Sequence, residues 1–127
     1  MLLIDPATCL AVAIYFEARG ELDADQLKVA EVVMNRVESK KYPKTVCAVV
    51  KQYKQFSFLN DAPEDELVIN KKSEAWLDAV HFANVTLNAG GRQTPACHYV
   101  HHEIDNFWTK KLNGKQEGNH IFYDGGC

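Results

Sequence analysis

Asp5-Pro6 and Gly20 bracket the stretch that most limits how this chain can fold. Asp can cap free backbone amides, Pro suits the first helical position and Gly readily ends a helix, so a helix is predicted between them. Within it Leu10, Ala13, Ile14 and Glu17 fall at i, i+3, i+4 and i+7. One stripe therefore carries three apolar residues and then a carboxylate. The apolar run Cys9 to Phe16 is far shorter than the roughly 20 residues that span a bilayer, so no membrane insertion is expected. With 127 residues, 46% hydrophobic and 24% charged, the chain is expected to form one globular domain over 1–127, and disorder, collagen and coiled coil are excluded.

Further elements follow from the same patterns. Asp23 with Gln26 three residues later predicts a capping-box start, and Leu27, Ala30, Met34 and Val37 mark the buried face of a second helix. Ser39 to Lys44 reads as a loop, and Thr45 caps a short helix through Val46, Val49, Val50 and Tyr53. Residues 59–72 form a polar surface excursion. Ser73 starts a helix with Trp76, Val80, Ala83 and Leu87 on one face, ended by Gly90-Gly91. Beyond Arg92, Asn113-Gly114 and Gly118 punctuate short aromatic-rich runs, His98 to Val100 and Ile121 to Tyr123, which read as strands. The pattern is α+β, mainly helical with a small β region.

Fourteen Lys+Arg against seventeen Asp+Glu give a net charge of −3 without blocks of one sign. A nucleic-acid binder or polybasic membrane binder would carry a concentrated cationic face, so neither is expected. The four cysteines, Cys9, Cys47, Cys97 and Cys127, contain no C-x-x-C pair for zinc or redox work. Met1 to Asp5 shows no basic leader and no cleavage site. Either synthesis in the cytoplasm or trimming of a longer chain is therefore expected, with reduced, mostly buried thiols and at most one disulfide.

Glu17 is the residue with chemistry in it. It projects from the last turn of an apolar-striped helix, where desolvation and the negative end of the macrodipole both disfavour its charged form. Its pKa should be raised, as an acid that protonates a glycosidic leaving oxygen requires. The alternative is a Glu that snorkels to solvent or pairs with Arg19 or Arg36.

The run Ala13-Ile14-Tyr15-Phe16-Glu17-Ala18-Arg19-Gly20-Glu21 resembles the opening signature of SleB-type cell wall hydrolases, the spore cortex-lytic enzymes and their bacteriophage endolysin relatives. The likeness continues in order through Val29 to Val37, Tyr42 to Val50, Gln55-Phe56-Ser57, His98-Tyr99, Trp108 and Gly118 to Tyr123. It implies a lysozyme-like, lytic-transglycosylase-like domain with a groove for peptidoglycan glycan strands. It also implies that Glu17 is the catalytic acid, cleaving between N-acetylmuramic acid and N-acetylglucosamine to leave an anhydro-muramyl end, without metal or other cofactor. A monomer is expected. A single leaderless unit is similar to an endolysin made in the host cytoplasm and released to the wall by a separate pore, while a spore enzyme of this kind brings an export signal and a binding domain.

The remaining matched residues suit a sugar groove. Tyr99, Trp108, Phe122 and Tyr123 offer flat faces for pyranose rings, while Gln55, Ser57, Asn119 and His120 offer donors and acceptors. Asn35, with Arg36, could brace the loop after Glu17, and His98 could hydrogen-bond in the groove. Glu21 is the second acid of the motif; it either holds a loop by hydrogen bonds or positions a water for ordinary hydrolysis. The His98, His101, His102 and Glu103 cluster matches no helix-borne zinc signature, so no metal is expected, and a zinc amidase is the runner-up it would support. A non-catalytic glycan-binding module is the third reading. Phe58 stands where the family tends to have Trp, Cys97 where Thr is common, and Asn106-Phe107-Trp108 lacks the usual Pro.

Overall fold

The computed structural model of the chain describes residues 5–52, 69–101, 113–124 and 127. Helix α1, Pro6–Ala18, begins as the sequence predicts: the Asp5 carboxylate accepts from the Thr8 amide at 2.9 Å, and Pro6 takes the first helical position. It stops before Arg19 and a left-handed Gly20, φ 78°. Cys9 to Tyr15 and Ala18 are all buried, because a helix apolar on every side can only sit at the centre. Around it pack α2, Asp23–Glu38, α3, Val46–Lys51, and α4, Glu74–Asn88.

The side-chain oxygens of Thr45 and Ser73 cap α3 and α4 as expected. The predicted end of α3 at Tyr53 lies outside the described residues. Helix α2 departs from expectation at its start. Leu22 is the N-cap and supplies no side-chain bond, Asp23 is already helical, and the Gln26 side chain donates back to the Glu21 carbonyl at 3.1 Å instead of closing a capping box. Its buried surface is also wider than the Leu27, Ala30, Met34, Val37 stripe. Ala30 and Val33 join the core around α1, while Val29 and Val32 join a second cluster with Ala18, Ala96 and Phe122. The helix is wedged between two layers, so one stripe cannot describe it.

The second layer is a three-stranded antiparallel sheet in the order β1, His98–His101, β3, His120–Asp124, and β2, Asn113–Glu117. Asn113-Gly114, expected as punctuation, instead lies within β2. A Cβ at Gly114 would stand 2.6 Å from the Tyr123 ring, so the glycine lets that ring cross the strand. The turn falls at Gly118-Asn119, with Gly118 at φ 60°. Tyr99 pairs with Phe122, and by strand alternation His120 shares their helix-facing side, while His98 and Tyr123 pair on the other. Tyr99 packs against both clusters.

The cysteines also depart from expectation. Cys9 is bonded to Cys47, joining α1 to α3, and Cys97 to Cys127, joining the approach to β1 to the last residue, with Cα separations of 5.2 and 5.5 Å. Spacing along the chain carries no information about that proximity. Closing loops of 38 and 30 residues, each cross-link restricts the unfolded chain by about 3 to 4 kcal/mol.

Candidate functional site

Glu17 occupies the last turn of α1, where Ala18 anchors the backbone in the second cluster and turns the preceding side chain toward the sheet. Three groups from three other elements surround its carboxyl: the Tyr99 hydroxyl from β1, His120 from β3 and Arg36 from α2. Burial pushes the Glu17 carboxyl above the ordinary carboxylate range. Tyr99, then the charges of His120 and Arg36, pull in the opposite direction without cancelling it. The Tyr99 hydroxyl makes no regular hydrogen bond of its own, yet lies close enough to favour the Glu17 anion. Burial drives Tyr99 well above the usual phenol value, and the Glu17 charge beside it adds to that. Burial likewise lowers Arg36, against the stabilising presence of Tyr42, Tyr99 and Glu17. Arg19 does not pair with Glu17: it is exposed, and its guanidinium lies 4.9 Å from the centre of the Tyr15 ring.

The position of Tyr99 is set from α2. The buried Glu31 carboxylate accepts from the Gln93 and Thr94 amides at 2.9 and 3.0 Å. Asn35 donates to the Thr94 and Ala96 carbonyls, both at 2.9 Å, and Arg36 Nε donates to the Cys97 carbonyl at 2.7 Å. Asn35 and Arg36 thus brace the extended segment that leads into β1, not the loop after Glu17 for which they were expected. Chain geometry explains the difference: both sit late on α2, roughly 18 to 20 Å along the helix from the end that adjoins that loop.

The other candidates divide by location. Glu21 is engaged at the β2–β3 turn, where its Oε1 accepts from Asn119 Nδ2 at 3.0 Å. His98 and Tyr123 lie on the far side of the sheet from Tyr99 and His120 and do not join the cluster at Glu17; the His98 ring is instead 6.5 Å from that of Tyr42. Gln55, Ser57 and Trp108 lie outside the described residues, as do His102 and Glu103. No grouping of three His, Cys, Asp or Glu side chains suited to a metal occurs among the described residues.

Sequence reasoning missed Asp25 and Glu31. Both are charged residues in a strongly helical stretch, which ordinarily marks a solvated face, yet they are 0% and 4% exposed. A signal was available: Asp25, Val29, Val32 and Arg36 recur at i, i+4, i+7 and i+11, a second stripe in which two valines announce burial of the charges between which they lie.

Residues 20–123 match the family model described as Cell Wall Hydrolase. The chain belongs to the cell wall hydrolase family. It is 33% identical over 116 residues to a spore cortex-lytic enzyme of Oceanobacillus iheyensis, covering 89% of this chain and 39% of that protein. That span is too long to begin after residue 17, so it takes in Glu17. A spore cortex-lytic enzyme of Bacillus cereus is 35% identical over 80 residues, 63% of this chain and 31% of its own length. The chain thus spans well under half the length of these relatives. Among solved structures, the catalytic domain of the germination-specific lytic transglycosylase SleB from Bacillus anthracis superposes with a TM-score of 0.77 at 27% identity, covering 94% of this chain and 93% of that one. The catalytic domain of the Bacillus cereus SleB protein gives 0.72 at 29% identity, covering 94% and 89%. The cell wall hydrolase fold is therefore that of the SleB catalytic domains: helices around α1 with a small sheet on one side.

Proposed function

We propose that the protein is a peptidoglycan lytic transglycosylase that cleaves the bond between N-acetylmuramic acid and N-acetylglucosamine, with Glu17 as its one acid and base. The observation that carries the reading is the Glu17 carboxyl itself, desolvated enough to hold a proton yet faced by Tyr99, His120 and Arg36, which stabilise the anion left when the proton departs. In the first step Glu17 donates its proton to the bridging oxygen as the C1–O bond breaks. The carboxylate then takes the proton of the muramyl 6-hydroxyl as that oxygen bonds to C1. Glu17 ends protonated, no water is consumed and the product is a 1,6-anhydro ring. Such proton transfer is worth about two to four orders of magnitude in rate.

Ordinary glycoside hydrolysis uses a second carboxylate placed roughly 5 to 9.5 Å from the first. Glu21 is the motif's other acid, and its bond to Asn119 fits a residue that secures the hairpin turn rather than a water. Two disulfides persist best in an oxidising compartment, which supports a working site at the wall, outside the reducing cytoplasm. No helix among the described residues is long and apolar enough to cross a membrane.

Mass spectrometry of digested sacculi tests the reaction, because an anhydro end weighs one water less than a hydrolysed one. Anhydro-muramyl products from the native protein, lost in Glu17→Gln, are expected; reducing ends alone would assign a hydrolytic muramidase instead. Digesting vegetative sacculi beside spore cortex separates the two biological settings. An endolysin would cut the first at least as fast as the second, and a germination enzyme would show the reverse.

A further inference from the structure

One buried hydrogen-bonded pair near Glu17 holds a residue, Asp25, that has no part in the reaction just described. Asp25, in the first turn of α2, is 0% exposed, and its two oxygens lie 2.7 and 2.8 Å from His120 Nδ1. A carboxylate can only accept, so Nδ1 carries the hydrogen toward it. The ring is held from other sides as well. Tyr99 meets it edge-on at 5.2 Å between centroids, and Phe122 lies at 6.2 Å. The hairpin turn presses onto the same carboxylate: a Cβ on Gly118 would stand 3.0 Å from Asp25 Oδ2, at a φ that already favours glycine. His120 in turn acts on Glu17, and Asp25 is not among the groups that perturb Glu17 directly.

We propose that Asp25 is a positioning residue for the acid: through its bond to Nδ1 it keeps the His120 imidazole oriented beside Glu17, so that the carboxylate formed on proton release has a fixed partner. The proposal rests on the reading of Glu17 as the proton donor. The charged and titratable groups around this pair are Glu17 from α1, Lys28 and Arg36 from α2, Tyr99 from β1 and Glu117 from β2, which stands opposite His120 and is ion-paired with Lys28, with Glu21 at the hairpin turn. Of these, Arg36 and Tyr99 already favour the Glu17 anion, so the pair adds to a field instead of creating it. Losing the ring therefore leaves Glu17 less willing to ionise, and losing Asp25 should produce the same change by letting His120 turn away from it.

The test is a carbon-13 titration of the Glu17 carboxyl in the native protein, Asp25→Asn, His120→Gln and the double variant, with nitrogen-15 shifts reporting the protonation of the His120 ring. Both single variants should move the Glu17 midpoint upward by about one pH unit, and the double variant no further than His120→Gln alone. Asp25→Asn should also shift the Nδ1 resonance, as a hydrogen bond to an amide replaces one to a carboxylate. On peptidoglycan, kcat should fall by about tenfold or more in each, with the high-pH limb of kcat/KM displaced upward alongside the midpoint. A pair that merely fastened the hairpin to α2 would lower Tm and leave the midpoint where it is, and that result would overturn the proposal, as would a downward shift. If Asp25→Asn does not fold, His120→Gln carries the same midpoint comparison and an unmoved value there is equally fatal. Because the titration needs no substrate, displaced midpoints in a native protein that leaves peptidoglycan intact would refute the proposed reaction and not the pairing.

Discussion

Around α1 the contacts are apolar and undirected: Leu10, Ile14, Val33, Val49 and Val50 are fully buried against one another. Around β1 and β3 they are polar and directed: Asp25 to His120, Lys28 to Glu117 at 3.1 Å, Glu31 to two backbone amides, Asn35 and Arg36 to three carbonyls. A small sheet cannot bury enough apolar surface to fix itself to a helical core, and hydrogen bonds supply the geometry that burial leaves free. The molecule thus keeps a tolerant half that provides stability and an exacting half that aims Tyr99 and His120 at Glu17. Glu17 sits on the seam between them.

The largest expected effect is at that seam. Glu17→Gln should reduce activity on sacculi by about three orders of magnitude or more while leaving the fold intact. Since the native carboxyl is raised, its ionisation at neutral pH opposes folding, and the amide should melt no lower than the native protein at pH 7, with less advantage at pH 4 where the native group is protonated. A thermal scan at both values checks the sign.

The disulfides divide the halves next. Removing Cys9–Cys47 by Ser substitution should cost about 3 to 4 kcal/mol in denaturant titration with kcat per folded molecule retained. Removing Cys97–Cys127 should cost a similar amount and lower kcat too, since the segment it fastens sets Tyr99. Equal activity losses from both would erase the distinction drawn above.

Single side chains sharpen it further. Ile14→Ala should destabilise by about 2 to 5 kcal/mol through the cavity it leaves, again with kcat preserved. Glu31→Ala should cost about 2 to 4 kcal/mol by stranding two amides, and kcat should fall with it. The smallest effect is a pH dependence: activity requires protonated Glu17, so kcat/KM should decline as pH rises through a midpoint above the ordinary carboxylate value.

The tolerant half is the one the sequence announces. Asp5-Pro6, Thr45 and Ser73 act within a residue or three of where they stand, and the stripes on α1 and α4 name their buried faces, because helix periodicity is local. Glu17 was legible for the same reason, its burial following from the stripe that contains it. The exacting half depends on partners about 60 to 100 residues away, such as Asn35 with Ala96 and Asp25 with His120, and no local pattern encodes such meetings. The misread punctuation at Asn113-Gly114 has the same origin: Gly114 serves Tyr123 on the neighbouring strand, not its own backbone. Cysteine pairing was hidden likewise, and the family motif brought His120 into view without the Asp25 that holds it.

Everything turns on whether Glu17 holds a proton where ordinary glutamates have lost theirs. A carbon-13 titration of its side-chain carboxyl in the native protein reads this directly. The account predicts a midpoint above the usual glutamate value, coincident with the falling limb of activity on glycan strands; a midpoint at or below that value, with activity unaffected as the group ionises, would contradict it.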